Sequence, residues 1–199
     1  HGSYDPLTVS AKPDLDKAGD PEEPTPVIGH GINAGVVFVV PYNNLEALEK
    51  IFARDHDSIA CFIVEPVLEN LGIVLPDAGY LAGVRELCNK YKIVLIFDEV
   101  KTGLTAGPRG AAHRIGVQPD LICVAKSIGG GLPLAAFGGR AEIMEMLTTG
   151  AMAHFGTFNG NPLAMAGLRA MDKLCTEEAL ATAEAFNKQA LDRISEIID

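Results

Sequence analysis

Two carboxylates, Asp98 and Glu99, end the apolar run in IVLIFDEVKTG (93–103), and Lys126 ends the next one, DLICVAK, 28 residues after Asp98. If these runs are strands of a parallel α/β sheet, their carboxyl ends form a ligand crevice, and an acid just after a strand faces ligands. The plain alternative is that Asp98 caps the next turn and Glu99 is solvated. Lys126 is either a surface charge, the usual fate of lysine, or an amine held in an apolar pocket. There, desolvation lowers its pKa and frees it to attack a carbonyl.

An acid on one strand end and a lysine on another is the pair that pyridoxal 5'-phosphate requires. The lysine takes the aldehyde as a Schiff base, and the carboxylate keeps the ring nitrogen protonated so that the ring accepts electrons. Gly129, Gly130 and Gly131 follow the lysine, and glycines let a backbone turn sharply and pass close to a cofactor. They do not form the dinucleotide G-x-G-x-x-G fingerprint, and no such motif follows the first strand.

The elements that must position these residues are legible as an alternation. The patterning predicts strands in VVFVV (36–40), IACFIVE (59–65), IVLIF (93–97), DLICV (120–124) and LPLAAFGG (132–139). Between the first pair, NNLEALEKIFARDH places Leu45, Leu48, Ile51 and Phe52 on one helical face behind an Asn cap. DAGYLAGVRELCNKYK aligns Leu81, Val84, Leu87, Cys88 and Tyr91 in the same way. RAEIMEML starts a further helix; NPLAMAGLRAMDKL has Pro162 in its first turn, and EEALATAEAFNKQALDRISEII runs to the end. Continuous apolar strands alternating with amphipathic helices mean a mostly parallel sheet covered by helices, the α/β class. Residues 6–35 show neither period and read as one long loop rich in Pro, Gly and Asp.

The chain has 199 residues, 48% of them hydrophobic, enough for a sizeable core. Its 26 acids against 16 bases give a net charge of -10, spread along the chain, which weighs against nucleic acid or an anionic membrane as partner. Cys61, Cys88, Cys123 and Cys175 form no C-x-x-C pair and read as reduced core residues of a cytoplasmic protein. No apolar stretch reaches the ~20 residues that span a bilayer, and His30, His56 and His113 lack metal-ligand spacing, so no metal is expected. A start on His1 predicts that the chain begins inside a longer gene product.

EPVLENLGIVLPDAGYL, LIFDEVKTGL, AKSIGGGLPLAAFGG and FGTFNGNPLAMAG, in this order, resemble the core of the class III aminotransferase family, pyridoxal-phosphate enzymes of fold type I. Within it the chain is most similar to the glutamate-1-semialdehyde 2,1-aminomutase group, which shares the PYNNLEAL segment. The likeness runs from Pro41 to about Leu174 and weakens between Pro6 and Val40. It implies that Lys126 forms the Schiff base and shuttles the proton, while Asp98 pairs with the pyridine nitrogen. It further implies that Val100 packs on one ring face and that Asn70 reaches the phenolic oxygen. The resemblance also implies that Gly156 and Thr157 bind the phosphate of the neighbouring subunit's cofactor, and with that a homodimer. Plain alternatives stand beside these roles: Val100 as core, Asn70 as a turn residue before Gly72, and Thr157 as the cap of the helix near Pro162. Glu65 either holds the cofactor site's framework or is simply structural, and Glu99 is read as structural.

The implied layout is a lid-like loop over 1–35, an incomplete cofactor-binding large domain over 36–174, and a helix over 175–199 leading toward an absent small domain. The family's phosphate-binding segment and ring-stacking aromatic precede the pair matched by His1 and Gly2 and are absent. DPEEPTPV does not resemble the aminomutase lid, Lys101 replaces a neutral residue, and Ala153 stands near the place of an aromatic. These differences put an aminotransferase acting between an amine and a carbonyl substrate level with, or ahead of, the mutase that makes 5-aminolevulinate. An inactive fragment or scaffold of the same fold is the remaining alternative.

Overall fold

Asn44 opens the first helix, its side chain accepting the Ala47 N–H at 2.9 Å. Helix α1 covers Leu45–Asp55 and buries Leu48, Ile51 and Phe52, the stripe predicted from their spacing. The computed structural model describes residues 37–198, so the lid-like region expected over 1–35 lies outside the described residues.

Strand β1 (Cys61–Val64), α2 (Tyr80–Tyr91) and β2 (Val94–Asp98) follow as one crossover unit. The short helices α3 (Thr102–Thr105) and α4 (Gly110–Ile115) then connect to β3 (Leu121–Ala125). β1, β2 and β3 pair in parallel, which such crossovers require. The chain reverses after Lys126–Gly129, where Gly130 and Gly131 have φ of +58° and +93°, and β4 (Ala135–Gly139) returns antiparallel to β3. The sheet order is β1-β2-β3-β4, with α5 (Ala141–Thr148), α6 (Pro162–Leu174) and α7 (Glu177–Ile198) after it. The mostly parallel α/β sheet expected from the sequence is therefore present.

The core lies between one sheet face and helices α1 and α2. Along β2 the burial alternates: Leu95 and Phe97 are fully buried against Leu48, Phe52, Val84 and Cys88, while Val94, Ile96 and Asp98 are half-buried on the other face. Burying a side chain such as Phe97 contributes about 1.5–3 kcal/mol. This packing makes β2 the rigid support from which Asp98 projects.

Two expectations are corrected. Residues 37–40 of VVFVV form no strand, and residue 36 lies outside the described residues. β-branched residues favour strands only where a neighbouring strand supplies hydrogen bonds, and none of the described strands pairs with this segment. Of the four cysteines only Cys88 is a fully buried core residue, and Cys61 is exposed at the start of β1. Burial pushes the Cys88 thiol up to about 12. All four are free thiols.

Candidate functional site

The parallel register brings three of the predicted residues to one edge. Val64 pairs with Phe97, so Glu65 and Asp98 leave their strands side by side. Asp98 pairs with Cys123, and Lys126 follows three residues beyond, at the carboxyl end of β3. A crevice at the carboxyl ends of parallel strands is where an α/β sheet binds ligands.

Asp98 is half-buried, and its Oδ1 accepts the Val100 N–H at 3.0 Å. This short turn orients the carboxylate and half-buries Val100 beside it. The pairing of a capped turn with a solvated Glu99 does not hold, because Glu99 is fully buried. Its Oε2 accepts the Ala111 N–H at 2.6 Å and the Thr102 hydroxyl at 3.1 Å, and its Oε1 accepts the Ala112 N–H at 2.9 Å. A buried carboxylate is tolerated where donors replace its water, and here the first turn of α4 supplies two of them.

Gly110 completes this cradle. It has φ of +70°, and a Cβ there would run into the Glu99 carboxylate. Gly110→Ala is expected to destabilise the chain by roughly 1–3 kcal/mol, from a left-handed backbone with a side chain and a displaced buried acid. Urea unfolding measures the loss; an unchanged midpoint would contradict the cradle.

Lys126 is exposed and adopts φ of +52°, a left-handed conformation uncommon outside glycine. The geometry costs about 1–2 kcal/mol and turns the chain sharply off the end of β3. The Lys126 side chain makes no hydrogen bond or ion pair with a described residue. The hydroxyl of Ser127, next in sequence, is buried and finds no partner among the described residues. The glycines behind it also serve packing: a Cβ on Gly130 would meet Met171 Cγ at 3.0 Å, and one on Gly167 would meet the Gly129 carbonyl at 2.8 Å. The close approach they permit in this chain is that of α6.

Glu65 and Asn70 come together. The Glu65 carboxylate accepts the Asn70 side-chain amide at 3.0 Å and the Glu69 N–H at 3.2 Å, which holds the 3-10 turn Glu69–Leu71 at the strand edge. Tyr42, missed in the sequence, anchors the same corner: its hydroxyl donates to the Pro66 carbonyl at 3.0 Å. Burial, with Tyr80 and Glu65 nearby, raises the Tyr42 pKa well above the ordinary phenol value, so the hydroxyl stays a donor. Only the YNN signature hinted at it.

Gly156 and Thr157 lie on the loop between α5 and α6, wholly exposed and flanked by Phe155 and Phe158 at 92% and 80% exposure. Thr157 does not cap α6; Asn161 does, accepting the Leu163 N–H at 2.9 Å. An open cleft of about 450 Å³ lies elsewhere. It lies at the amino end of β3, lined by Arg85, Asn89, Asp120 and Arg140, away from the acid and the lysine.

Comparison with known proteins extends the picture beyond the strand edge. Residues 29–199 match the family model described as Aminotransferase class-III. The chain is similar to the glutamate-1-semialdehyde 2,1-aminomutases of Natranaerobius thermophilus, at 41% identity over all of this chain and 46% of the relative, and of Syntrophobacter fumaroxidans, at 43% over 98% and 45%. It therefore spans under half the length of the curated relatives it matches. Among solved structures it is similar to an omega-transaminase from Sphaerobacter thermophilus, with a TM-score of 0.75 and 37% identity over 87% of this chain and 41% of the other. A glutamate-1-semialdehyde aminomutase from Pseudomonas aeruginosa in complex with PMP gives 0.73 and 32% over 89% and 41%. With a family model matching nearly the whole chain and the parallel sheet shared with these structures, the chain belongs to the class III aminotransferase family.

Proposed function

We propose that this chain is the cofactor-binding part of a pyridoxal-phosphate enzyme that moves an amino group between an amine and a carbonyl compound. The observation that carries the reading is the β2–β3 register, which puts an oriented carboxylate, Asp98, and a lysine, Lys126, at the ends of adjacent parallel strands. Relatives named as aminomutases and a neighbouring structure described as "Transaminase with PLP bound" support the same cofactor.

The residues present fit the group. A carboxylate held by a backbone N–H suits a protonated ring nitrogen, and an exposed amine on a sharply turned backbone suits an aldehyde. Pyridoxal phosphate, when bound, supplies an aldehyde that captures amines and a ring that accepts electrons.

The chain's own residues then have separable tasks. Asp98 keeps the ring nitrogen protonated, and Val100 packs against the ring. Lys126 Nζ would hold the aldehyde when no substrate is bound, and would take the proton from the substrate carbon as base and return it as acid. Asn70, held by Glu65, reaches toward the phenolic oxygen. Gly156 and Thr157, exposed in a single chain, serve the cofactor phosphate of a second copy, so the working unit is a homodimer. Residues 36–174 form the cofactor-binding unit, and 175–199 lead toward a further domain. A cytoplasmic enzyme accords with the described helices, none of which is long and apolar enough to cross a membrane.

The amino donor loses nitrogen and becomes a carbonyl compound, and the acceptor gains it. The second reading, the aminomutase, is favoured by the names of the relatives at 41–43% identity. With pyridoxal phosphate and glutamate 1-semialdehyde alone, a mutase yields 5-aminolevulinate. An aminotransferase yields product only when an amine is paired with a 2-oxo acid or aldehyde. No product from the semialdehyde or from a panel of such pairs would overturn both readings.

A further inference from the structure

We propose that Glu99 is a positioning residue for Asp98: clamped at both ends, it fixes the Glu99–Val100 peptide whose N–H orients the Asp98 carboxylate. The inference rests on the reading of Asp98 as the partner of the ring nitrogen.

Glu99 is held on every polar atom. Its N–H donates to the Cys123 carbonyl at 2.9 Å, one rung beyond the β2–β3 ladder, and its carbonyl accepts the Gly103 N–H at 2.9 Å. Its carboxylate takes Thr102, Ala111 and Ala112 as described above. On the other side of Asp98, Phe97 is fully buried in the core. Asp98 thus sits between two fully buried residues, and the Val100 N–H aimed at its Oδ1 belongs to a peptide that Glu99 begins.

A role in packing alone would be met by an apolar residue of the same size, without desolvating a charge. A carboxylate is needed because the donors are three, two of them backbone N–H groups converging from α4. A glutamine in its place would turn its own NH₂ toward one of those N–H groups. That donor-to-donor clash reopens the turn carrying the Val100 N–H, while the β2 core residues stay packed.

The test is amide hydrogen exchange on the full chain without cofactor, comparing Val100 with Leu95. Leu95 lies on β2, five residues before Val100, and its N–H donates to Asp120 at 2.7 Å, so it reports general loosening. In Glu99→Gln, exchange at Val100 is expected to quicken about tenfold more than at Leu95. Equal acceleration at both amides, or none at Val100, overturns the proposal by leaving Glu99 a general stabiliser. If Glu99→Gln fails to fold, Thr102→Val removes one of the three donors and decides in the same way, with a differential of about threefold.

A second arm measures pyridoxal phosphate affinity. Asp98→Asn and Glu99→Gln are both expected to weaken it, by about tenfold or more and by a smaller factor respectively. If Asp98→Asn changes nothing, the reading of Asp98 fails and the inference with it. If Asp98→Asn weakens binding and Glu99→Gln does not, the inference alone fails.

Discussion

Lys126→Ala is expected to eliminate turnover, by at least about 10³-fold, while leaving the fold in place. The side chain is exposed and makes no hydrogen bond or ion pair with a described residue, so its truncation removes little packing. The backbone at φ of +52° is strained for alanine as it is for lysine, and stability should change by less than about 1 kcal/mol. Loss of function without loss of structure is the signature of a reacting group. Arginine should not restore activity, because a guanidinium stays protonated and cannot serve as nucleophile or base. The measurement is turnover of the best amine and carbonyl pair, with far-ultraviolet circular dichroism as the control for folding. Residual activity within tenfold of the parent would remove Lys126 from the mechanism.

The second large effect concerns stability. Asp120 is 7% exposed at the foot of β3. It accepts the Leu95 N–H at 2.7 Å, Arg85 at 2.8 Å and Arg140 at 3.1 Å, tying α2, β2 and the end of β4 to one carboxylate. Arg140 is mostly exposed, so its share is small. Arg85 is half-buried, and Asp120→Ala would leave its guanidinium with only the longer 3.4 Å contact to the Gln118 carbonyl and the Leu95 N–H without its acceptor. A loss of about 2–3 kcal/mol, most of it from the orphaned buried Leu95 N–H, is expected in urea unfolding at pH 7.

The same carboxylate gives a pH signature. Burial pushes Asp120 up, but the Leu95 N–H and the two guanidiniums outweigh it and hold the group below its ordinary 3.8. A depressed folded value means stability that is present above the unfolded value and lost as pH falls through the folded one. Wild-type stability should therefore decline as pH drops below about 4, and Asp120→Asn should flatten that part of the decline. An unchanged acid limb in Asp120→Asn would contradict the assignment.

The readable parts of this chain were those encoded locally. The Asn44 cap and the Leu48, Ile51, Phe52 stripe are spaced within a few residues, and α1 forms there. The runs ending in Asp98 and Lys126 were visible as strands because an apolar run between helices has few other solutions. What stayed hidden depends on partners far along the chain. Glu99 is read as structural from its position, but what it holds depends on Ala111 and Ala112, 12 and 13 residues on, which donate to it. The Asp120 cluster joins residues 35 and 25 positions apart, and no period marks it. The run at 37–40 has strand composition without a strand's neighbour, and composition alone could not reveal that lack.

The central claim, that Lys126 is the amine that holds pyridoxal phosphate across from Asp98, has a direct test. Pyridoxal phosphate is added to the chain, borohydride fixes whatever bond has formed, and the digested peptides are weighed by mass spectrometry. The pyridoxyl mass on the peptide containing Lys126, and its absence in Lys126→Ala, is the predicted result. Label confined to other lysines, or no label at all, would contradict the claim.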